Sequence, residues 1–399
     1  MRELENSSPK LLALSRVADA EAPIVYGIVQ PGPDCPGGVP FVQSRDVGDA
    51  IELSSLQRTT HEIARQYRRS RITAGDILFS LRGNIGQSSI AVSALEGANI
   101  ARGIARIRVG REHDPEFIRY VLQGPVLERL IARNANGSTF REISIEELRK
   151  LPIPAVTLCE QREIAKILRA WDDAIAKLET LREAKNHRLD ALRAQMLSAA
   201  LRIAGPRKNW QPRKLAEVTC ELTARNGGLT LGREKVMGVT NSQGIVPMRV
   251  QTVAGDISRY KRLPPFAFAY NPMRINVGSI AMNDLGEEVL VSPDYVVLAC
   301  EPHDFEPDFL DHLRKTRWWT HHINSGGSGS VRQRTYYDDL AALQLPLPDI
   351  EEQRKIVEVL NVARDDLDQT KNLKAAIEQQ KRGLMQKLLT GEWRAKVEM

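Results

Sequence analysis

Residues 137–168 read GSTFREISIEELRKLPIPAVTLCEQREIAKIL, and residues 329–360 read GSVRQRTYYDDLAALQLPLPDIEEQRKIVEVL. The second stretch repeats the first without a gap, 192 residues further on (137 to 329). Pro154 aligns with Pro346, and the Glu-Gln-Arg run at residues 160–162 aligns with the one at 352–354. Because 192 residues far exceed a solenoid unit, the repeat indicates a duplicated half-protein.

Each copy continues as a predicted long helix with an apolar seam. Steps of four and three residues from Ile164, and again from Ile356, land mostly on apolar side chains, which is a heptad pattern. No proline occurs at 160–204 or 350–398, so both helices can run without a break. The polar residues on the two seams are Arg182, Lys185, Thr370, Lys374 and Lys381.

The second helix must return along the first if the two seams are to bury each other. We therefore expect an antiparallel coiled coil with an approximate two-fold axis and a globular region at either end. About 40 residues at a rise of about 1.5 Å span about 60 Å. DNA half-sites read from one face lie about 34 Å apart or a multiple of it, so such helices could serve as a ruler.

The predicted fold class is α+β, with two globular α+β domains separated by two long helices. The first globular region mixes short apolar runs with turn signals, and the second shares little sequence with it. The predicted boundaries are 1–151 for the first globular domain, 152–204 for the first helical region, 205–344 for the second globular domain and 345–399 for the second helical region.

Composition narrows the class of protein. Of 399 residues, 42% are hydrophobic, yet no run of about 18 apolar residues or N-terminal apolar segment exists, which favours a cytoplasmic protein. Four scattered cysteines with no Cys-x-x-Cys pair argue against a disulfide framework and a zinc site. The net charge of +6 weakly favours a polyanionic partner.

Sequence motifs for catalysis are missing. No Asp/Asn-Pro-Pro-Tyr/Phe run for amino methylation occurs, and the Gly-Ser run at 326–330 is not followed by Gly-Lys-Ser/Thr, so it is no Walker loop. His321-His322 and the Cys300/His303 pair lack companion metal ligands. We therefore predict neither a catalytic nor a metal site.

Two local predictions concern the first globular region. A glycine turn should join strands at 77–80 and 89–92. A helix should run from Asp114 to Arg133, with Asp114 as its cap and Pro115 in first position.

Polar and basic residues on glycine-rich segments are the candidate DNA contacts. Cations can bind phosphates, forked side chains can read base edges, and glycine lets the backbone approach a surface closely. Each of these residues could equally be an ordinary solvated loop residue, but the Gly-Ser loops occupy equivalent places in both copies. The candidates are Arg82, Asn84, Gln87, Ser138, Thr139, Arg141, Arg249, Gln251, Arg274, Asn276, Ser328, Ser330, Arg332, Gln333 and Arg334.

The twice-occurring block of proline, Glu-Gln-Arg and an Ile/Leu-rich helix resembles the two conserved regions of the specificity subunits (HsdS) of type I restriction-modification systems. GDILFSLRGNIG (75–86) and YNPMRINVGSI (270–280) are also similar to strand segments of that family's target-recognition domains. The resemblance covers nearly the whole chain. It implies that each globular domain reads one half of a split, asymmetric DNA sequence through the major groove, while the helices set the gap.

The resemblance also implies partners. Two methyltransferase subunits would dock on the scaffold, and ATP-driven motor-nuclease subunits would join through them. S-adenosylmethionine, ATP and Mg²⁺ would then bind partner subunits, with no cofactor on this chain. The residues expected to contact these partners are Glu160, Gln161, Arg162, Glu352, Gln353 and Arg354.

Two other classes of function compete with this one. A coiled-coil adaptor that never touches DNA would be indifferent to salt and to DNA sequence. A stand-alone DNA-modifying enzyme would be active as the purified chain, and the missing motifs speak against it.

Overall fold

The computed structural model describes residues 10–48, 51–125, 127–128, 142–203, 209–325 and 334–395. The chain forms two compact units. Unit 1 comprises residues 1–179 and 373–399, and unit 2 comprises residues 180–372. Unit 1 is therefore discontinuous in sequence.

Unit 1 contains a mixed set of short strands and helices. The strands are β1 (Leu11–Ala13), β2 (Val25–Tyr26), β3 (Val39–Val42), β4 (Arg58–Thr59), β5 (Ile77–Ser80), β6 (Ser88–Ile90), β7 (Asn99–Ile100), β8 (Ile104–Ile107) and β9 (Pro152–Pro154). The helices before the coiled coil are α1 (Leu14–Val17), α2 (His61–Gln66), α3 (Pro115–Gln123) and α4 (Ile145–Arg149).

An antiparallel sheet with the order β2-β8-β5-β6 lies at the centre of unit 1. All four residues of β5 are buried, as expected for an inner strand between two neighbours. A second sheet, β4-β3-β7, pairs β3 with β7 in parallel. The hairpin predicted from the glycine turn is confirmed, with its second strand at 88–90.

The predicted helix after Asp114 begins where expected but ends sooner. The Asp114 carboxylate accepts a hydrogen bond from the Phe117 amide at 2.9 Å, and Pro115 is the first helical residue. The helix was predicted to reach Arg133, but α3 ends at Gln123, where Gly124 adopts an extended conformation. Residues 125 and 127–128 are helical again, and residues 129–133 lie outside the described residues.

Unit 2 contains a comparable set of elements. Its strands are β10 (Gln211–Lys214), β11 (Thr219–Glu221), β12 (Met237–Thr240), β13 (Gly244–Pro247), β14 (Lys261–Leu263), β15 (Phe268–Tyr270), β16 (Ile280–Met282), β17 (Val289–Val291), β18 (Val296–Cys300) and β19 (Gln344–Leu347). Its helices outside the coiled coil lie before and after residues 326–333, which are outside the described ranges. They are α6 (Pro307–Leu313), α7 (Arg317–Ser325) and α8 (Tyr337–Ala341).

The four-stranded sheets of the two units share one topology despite their unlike sequences. The order β11-β18-β15-β16 repeats β2-β8-β5-β6, with every pairing antiparallel. Outside these sheets, Leu12 pairs with Ile153 and Arg213 pairs with Leu345, so the first strand of each globular region pairs with the strand before its long helix. The duplication therefore includes the globular regions as well.

The long helices form as predicted and contain no break. They are α5 (Leu158–Met196) and α9 (Ile350–Leu389). In unit 1, α5 and α9 both contribute apolar side chains to one core, including Leu168 and Leu388. In unit 2, Met196 and Leu360 belong to the corresponding core.

Ion pairs show that the helices pack antiparallel within each unit. Asp172 pairs with Lys381, and Glu179 lies 2.9 Å from Lys374. In unit 2, the Lys185 ammonium lies 2.7 Å from Asp366. Residue numbers fall on α9 as they rise on α5, which confirms the predicted direction. Three lysines that interrupt the apolar seams are thus paired with carboxylates on the facing helix.

Candidate nucleic-acid interface

The connection from β5 to β6 presents three of the predicted DNA contacts in unit 1. Arg82, Asn84 and Gln87 are all exposed on this turn. Gly86 has φ +90°, a left-handed conformation that L side chains rarely adopt, so glycine shapes the turn. The Arg82 guanidinium lies 3.6 Å from the Glu142 carboxylate in an exposed ion pair. Such a pair contributes little to stability and leaves the guanidinium accessible to another anion.

The chain returns beside this turn after the first glycine loop. The Ile143 amide donates to the Leu81 carbonyl at 3.0 Å, and Arg82 forms a β-bridge with Glu142. Three further predicted contacts precede this point in sequence. Ser138, Thr139 and Arg141 lie outside the described residues.

The equivalent turn of unit 2 joins β15 to β16. Arg274 and Asn276 are exposed on it, together with the apolar Met273 and Val277. Gly278 closes the turn at φ +88°, and a Cβ there would lie only 2.5 Å from the Asn241 carboxamide oxygen.

The second glycine loop also ends beside its turn. The Thr335 amide donates to the Pro272 carbonyl at 3.0 Å, which brings the exposed Arg334 to this surface. Thr335 and Ile143 occupy equivalent positions in the 192-residue repeat. The remaining predicted contacts of this loop, Ser328, Ser330, Arg332 and Gln333, lie outside the described residues.

Arg249 and Gln251 do not join the other candidates of unit 2. Both are exposed, but they follow the end of β13 at which Pro247 pairs with Met237. Asn241, which contacts the β15–β16 turn, lies at the other end of this hairpin. Arg249 therefore lies near the opposite end of this hairpin from the turn that carries Arg274.

The glutamine of each Glu-Gln-Arg motif fastens a long helix to its globular region. The Gln161 carboxamide accepts from the Asp114 amide at 2.9 Å and donates to the Val156 carbonyl at 2.8 Å. Gln353 likewise accepts from the Glu306 amide at 2.9 Å and donates to the Pro348 carbonyl at 3.0 Å. Both side chains are buried, which places these two predicted partner contacts inside their units.

The glutamate of each motif forms a clasp with an arginine beyond the end of the other long helix. Glu160 is 3% exposed and accepts two hydrogen bonds from Arg394, both at 2.6 Å. Glu352 accepts from Arg202 at 2.9 and 2.6 Å. Arg202 and Arg394 are again 192 residues apart.

The arginine of each motif is the exposed member. Arg162 and Arg354 both lie on the surface, and Arg354 also pairs with Glu306 at 3.4 Å. A partner that docks on these motifs would therefore meet the arginines first.

The shifted pKa values in unit 2 have structural causes. Burial lowers the pKa of His312 to about 4, and its ring bonds to Arg193 and Asn361. Burial acts to raise the pKa of Asp311, but Arg314 and Lys315 bring it down to about 2.

Across the described ranges, no group of three His, Cys, Asp or Glu side chains could hold a metal ion. None of the helices described has the length and apolarity that a membrane crossing requires.

One basic surface escaped the sequence predictions. Arg65, Arg68, Arg69 and Arg71 are all exposed on unit 1. Four arginines within seven residues are a visible signal in the sequence, but they lie outside the glycine-rich segments that carry the predicted DNA contacts.

Comparison with known proteins shows a likeness to one family. Residues 34–186 match the type I restriction modification DNA specificity domain. This stretch of the chain is therefore similar to that DNA specificity domain.

Relatives in two organisms carry the same designation. The type I restriction enzyme EcoBI specificity subunit of Escherichia coli is 29% identical over 171 residues, which are 41% of this chain. That match spans 35% of the EcoBI subunit's length. The putative MjaX specificity subunit of Methanocaldococcus jannaschii is 22% identical over 385 residues, covering 90% of this chain and 88% of the relative.

Solved structures share the fold of these specificity subunits. The S subunit of a type I system from M. genitalium has a TM-score of 0.56 at 16% identity and 98% coverage of both chains. A chain from a study of complex assembly and conformational transition of the type I system has a TM-score of 0.55 at 16% identity, covering 97% of this chain and 98% of that one.

Proposed function

We propose that the chain recognises a split, asymmetric duplex sequence, with one half read by each unit. The duplicated architecture is the observation that carries this proposal. The four-stranded sheets of the two units share one topology, yet their equivalent turns present different side chains. A shared central sheet with unlike turns suits two readers of different half-sites.

The exposed side chains have the chemistry that base readout requires. Arginine donates two hydrogen bonds to guanine, and asparagine or glutamine pairs with adenine through its carboxamide. Unit 1 offers Arg82, Asn84 and Gln87 on one turn, and unit 2 offers Arg274 and Asn276. Arg334 lies beside the turn of unit 2, and we expect the predicted contacts around Gly137 to add to those of unit 1.

The repeated helices suit two copies of one partner, because a repeated scaffold offers the same surface twice. We propose that two methyltransferase subunits dock at Arg162 and Arg354, and that motor-nuclease subunits join through them. S-adenosylmethionine, ATP and Mg²⁺ would act on those partners. The helices would set the gap between the half-sites.

A domain exchange tests the bipartite reading. Residues 213–340 are replaced by the corresponding segment of a specificity subunit with another target, which leaves α5 and α9 intact. N6-methyladenine is then mapped in cells that carry the partner subunits. We expect one half of the methylated sequence to change and the other to remain.

Two results would contradict the proposal. A change in both halves would show that the units do not read independently. Methylation that is the same with and without the chain would instead support a protein adaptor without DNA specificity.

A further inference from the structure

A basic pocket on unit 1 lies apart from the β5–β6 turn. It has a volume of about 470 Å³ and borders β2, at the edge of the central sheet furthest from β6. Arg68, Arg69 and Arg71 line it from the surface, and Arg106 and Arg108 line it from β8 and the residues just after that strand. Five arginines therefore line one pocket.

The positive charge of this pocket is only partly neutralised. Arg68, Arg69 and Arg71 are exposed and form no ion pair with any residue in the described ranges. Arg106 and Arg108 share the carboxylate of Asp76, at 3.9 and 2.8 Å. Glu21 also lines the pocket, and Asp19 and Glu96 act on Arg108 from nearby. The three exposed arginines thus remain without a paired carboxylate in the described ranges, which favours an anionic ligand.

Arg106 provides a second, independent observation. It is 3% exposed, its terminal nitrogens reach the Pro23 carbonyl at 3.1 Å and Asp76, and its Nε has no hydrogen-bond partner within the described structure. A buried donor without an acceptor is unfavourable. A ligand with acceptor oxygens, bound in the pocket that Arg106 lines, would supply one.

Two cations at the same sequence offset in unit 2 are ion-paired. Lys261 and Arg262 lie 192 residues after Arg69 and Ser70. The Lys261 ammonium is 3.6 Å from Glu221, and Arg262 bonds to Glu288. These two residues belong to the strand β14, whereas Arg68–Ser70 form a short 3-10 helix, so the local structure that presents Arg68 and Arg69 is specific to unit 1.

We propose that this pocket binds a phosphate group of the DNA backbone, outside the turns that read bases. The inference rests on the proposed function of the chain. Planar guanidinium groups match phosphate oxygens with two parallel hydrogen bonds, and several of them around one site neutralise the phosphate charge. A second surface continues from the pocket, with Arg65 and Arg149 beside the exposed Tyr26, and its facing acid is Glu146.

Salt-dependent DNA binding by the full chain tests the pocket. Affinities for the cognate duplex and an unrelated duplex are measured between about 0.05 and 0.2 M salt, for the wild type and for R68A/R69A/R71A. We expect binding to weaken at least about tenfold, and the slope of log Kd against log salt to fall by about one to two. The loss should be equal for both duplexes, because backbone contacts carry no base information.

Two variants serve as controls. K10A/R16A/R111A removes three exposed cations elsewhere on unit 1, none of them ion-paired in the described structure, and should leave the slope nearly unchanged. R68K/R69K/R71K keeps the charge and should restore most of the slope. Melting temperatures show that each variant is folded.

The outcomes separate this inference from the proposed function. If R68A/R69A/R71A and K10A/R16A/R111A have the same slope of log Kd against log salt, and both still prefer the cognate duplex, the pocket does not bind the DNA backbone. The proposed function would then be unaffected. If the wild type binds the cognate and the unrelated duplex equally well, both the pocket and the proposed function are overturned. If inorganic phosphate raises the melting temperature of the wild type alone while DNA affinity is unchanged in R68A/R69A/R71A, the pocket takes a free anion and the backbone contact is wrong.

Discussion

Single polar residues join each globular region to the long helices, and their chemistry differs between the units. The Tyr120 hydroxyl donates to the Asp172 carboxylate at 2.6 Å in unit 1. His312 occupies the equivalent position of unit 2 and is fully buried. Its Nδ1 accepts from Arg193 at 3.2 Å, so the ring must be neutral with its proton on Nε2, which donates to Asn361 at 2.9 Å.

The neutral His312 makes the stability of unit 2 depend on pH. Burial lowers its pKa to about 4 in the folded chain, below the ordinary value of about 6.5. The unfolded state therefore binds more protons, and stability that is full above pH 6.5 is lost as the pH falls towards 4. We expect a loss of about 3 kcal/mol, measured by urea unfolding of unit 2.

H312Q is the matched variant for that measurement, because glutamine can bond to Arg193 and Asn361 but does not titrate in this range. Its stability should fall less between pH 6.5 and 4.5 than that of the wild type. Parallel curves for the two proteins would show that His312 is not the titrating group.

Arg334 is the described member of the second glycine loop, and its removal should weaken DNA binding. We expect R334A to bind the cognate duplex with about 1–3 kcal/mol less free energy if the guanidinium reads a base. Unchanged affinity at moderate salt would remove Arg334 from the interface. R317A removes another exposed arginine of unit 2 and serves as the control.

At the scale of elements, the long helices were the most predictable part of the fold. A heptad pattern and the absence of proline are properties of each helix alone, so the sequence contains them. The partners of the seam lysines were not predictable, because they depend on the register between two helices. Lys185, for example, also donates to Thr370 at 2.9 Å, a contact set by the antiparallel packing.

The two clasps should stabilise separate units. R394A leaves Glu160 buried without its partner, and we expect a loss of about 1–3 kcal/mol, since Arg394 is itself half exposed. Hydrogen exchange should quicken in unit 1 for R394A and in unit 2 for R202A. R162A is the control, because Arg162 is exposed beside the same motif. An effect of R394A on both units would show that the clasp is not local.

For the whole chain, the duplication was predictable from the sequence, but the duplicated region is longer than the visible repeat. Gly137 and Gly329 begin the visible repeat, yet the hydrogen bonds of Leu14 to Leu151 and Leu215 to Leu343 show that it includes the first strands. The same backbone pairing occurs in both units, although the side chains there differ. The candidate interface was harder to predict, because tertiary contacts bring Ile143 and Thr335 to the turns, and contacts with bases require the DNA itself.

Unit 1 is incomplete without the C-terminal part of α9. Met385, Leu388 and Leu389 are buried in its core, and a chain that ends at residue 372 would lose them together with Lys381 and Arg394. We expect this deletion to abolish hydrogen-exchange protection in the first half of α5 while unit 2 keeps its own. Equal loss in both units would indicate a single cooperative structure.

The discontinuity of unit 1 also sets an order of events on the ribosome. Domains of a nascent chain generally fold from the N-terminus onward. Here every residue of unit 2 leaves the exit tunnel before residues 373–395 do, although unit 1 begins the chain. Unit 1 is therefore translated first but completed second. The apolar face of α5 in unit 1 stays uncovered until the last turns of α9 have been translated.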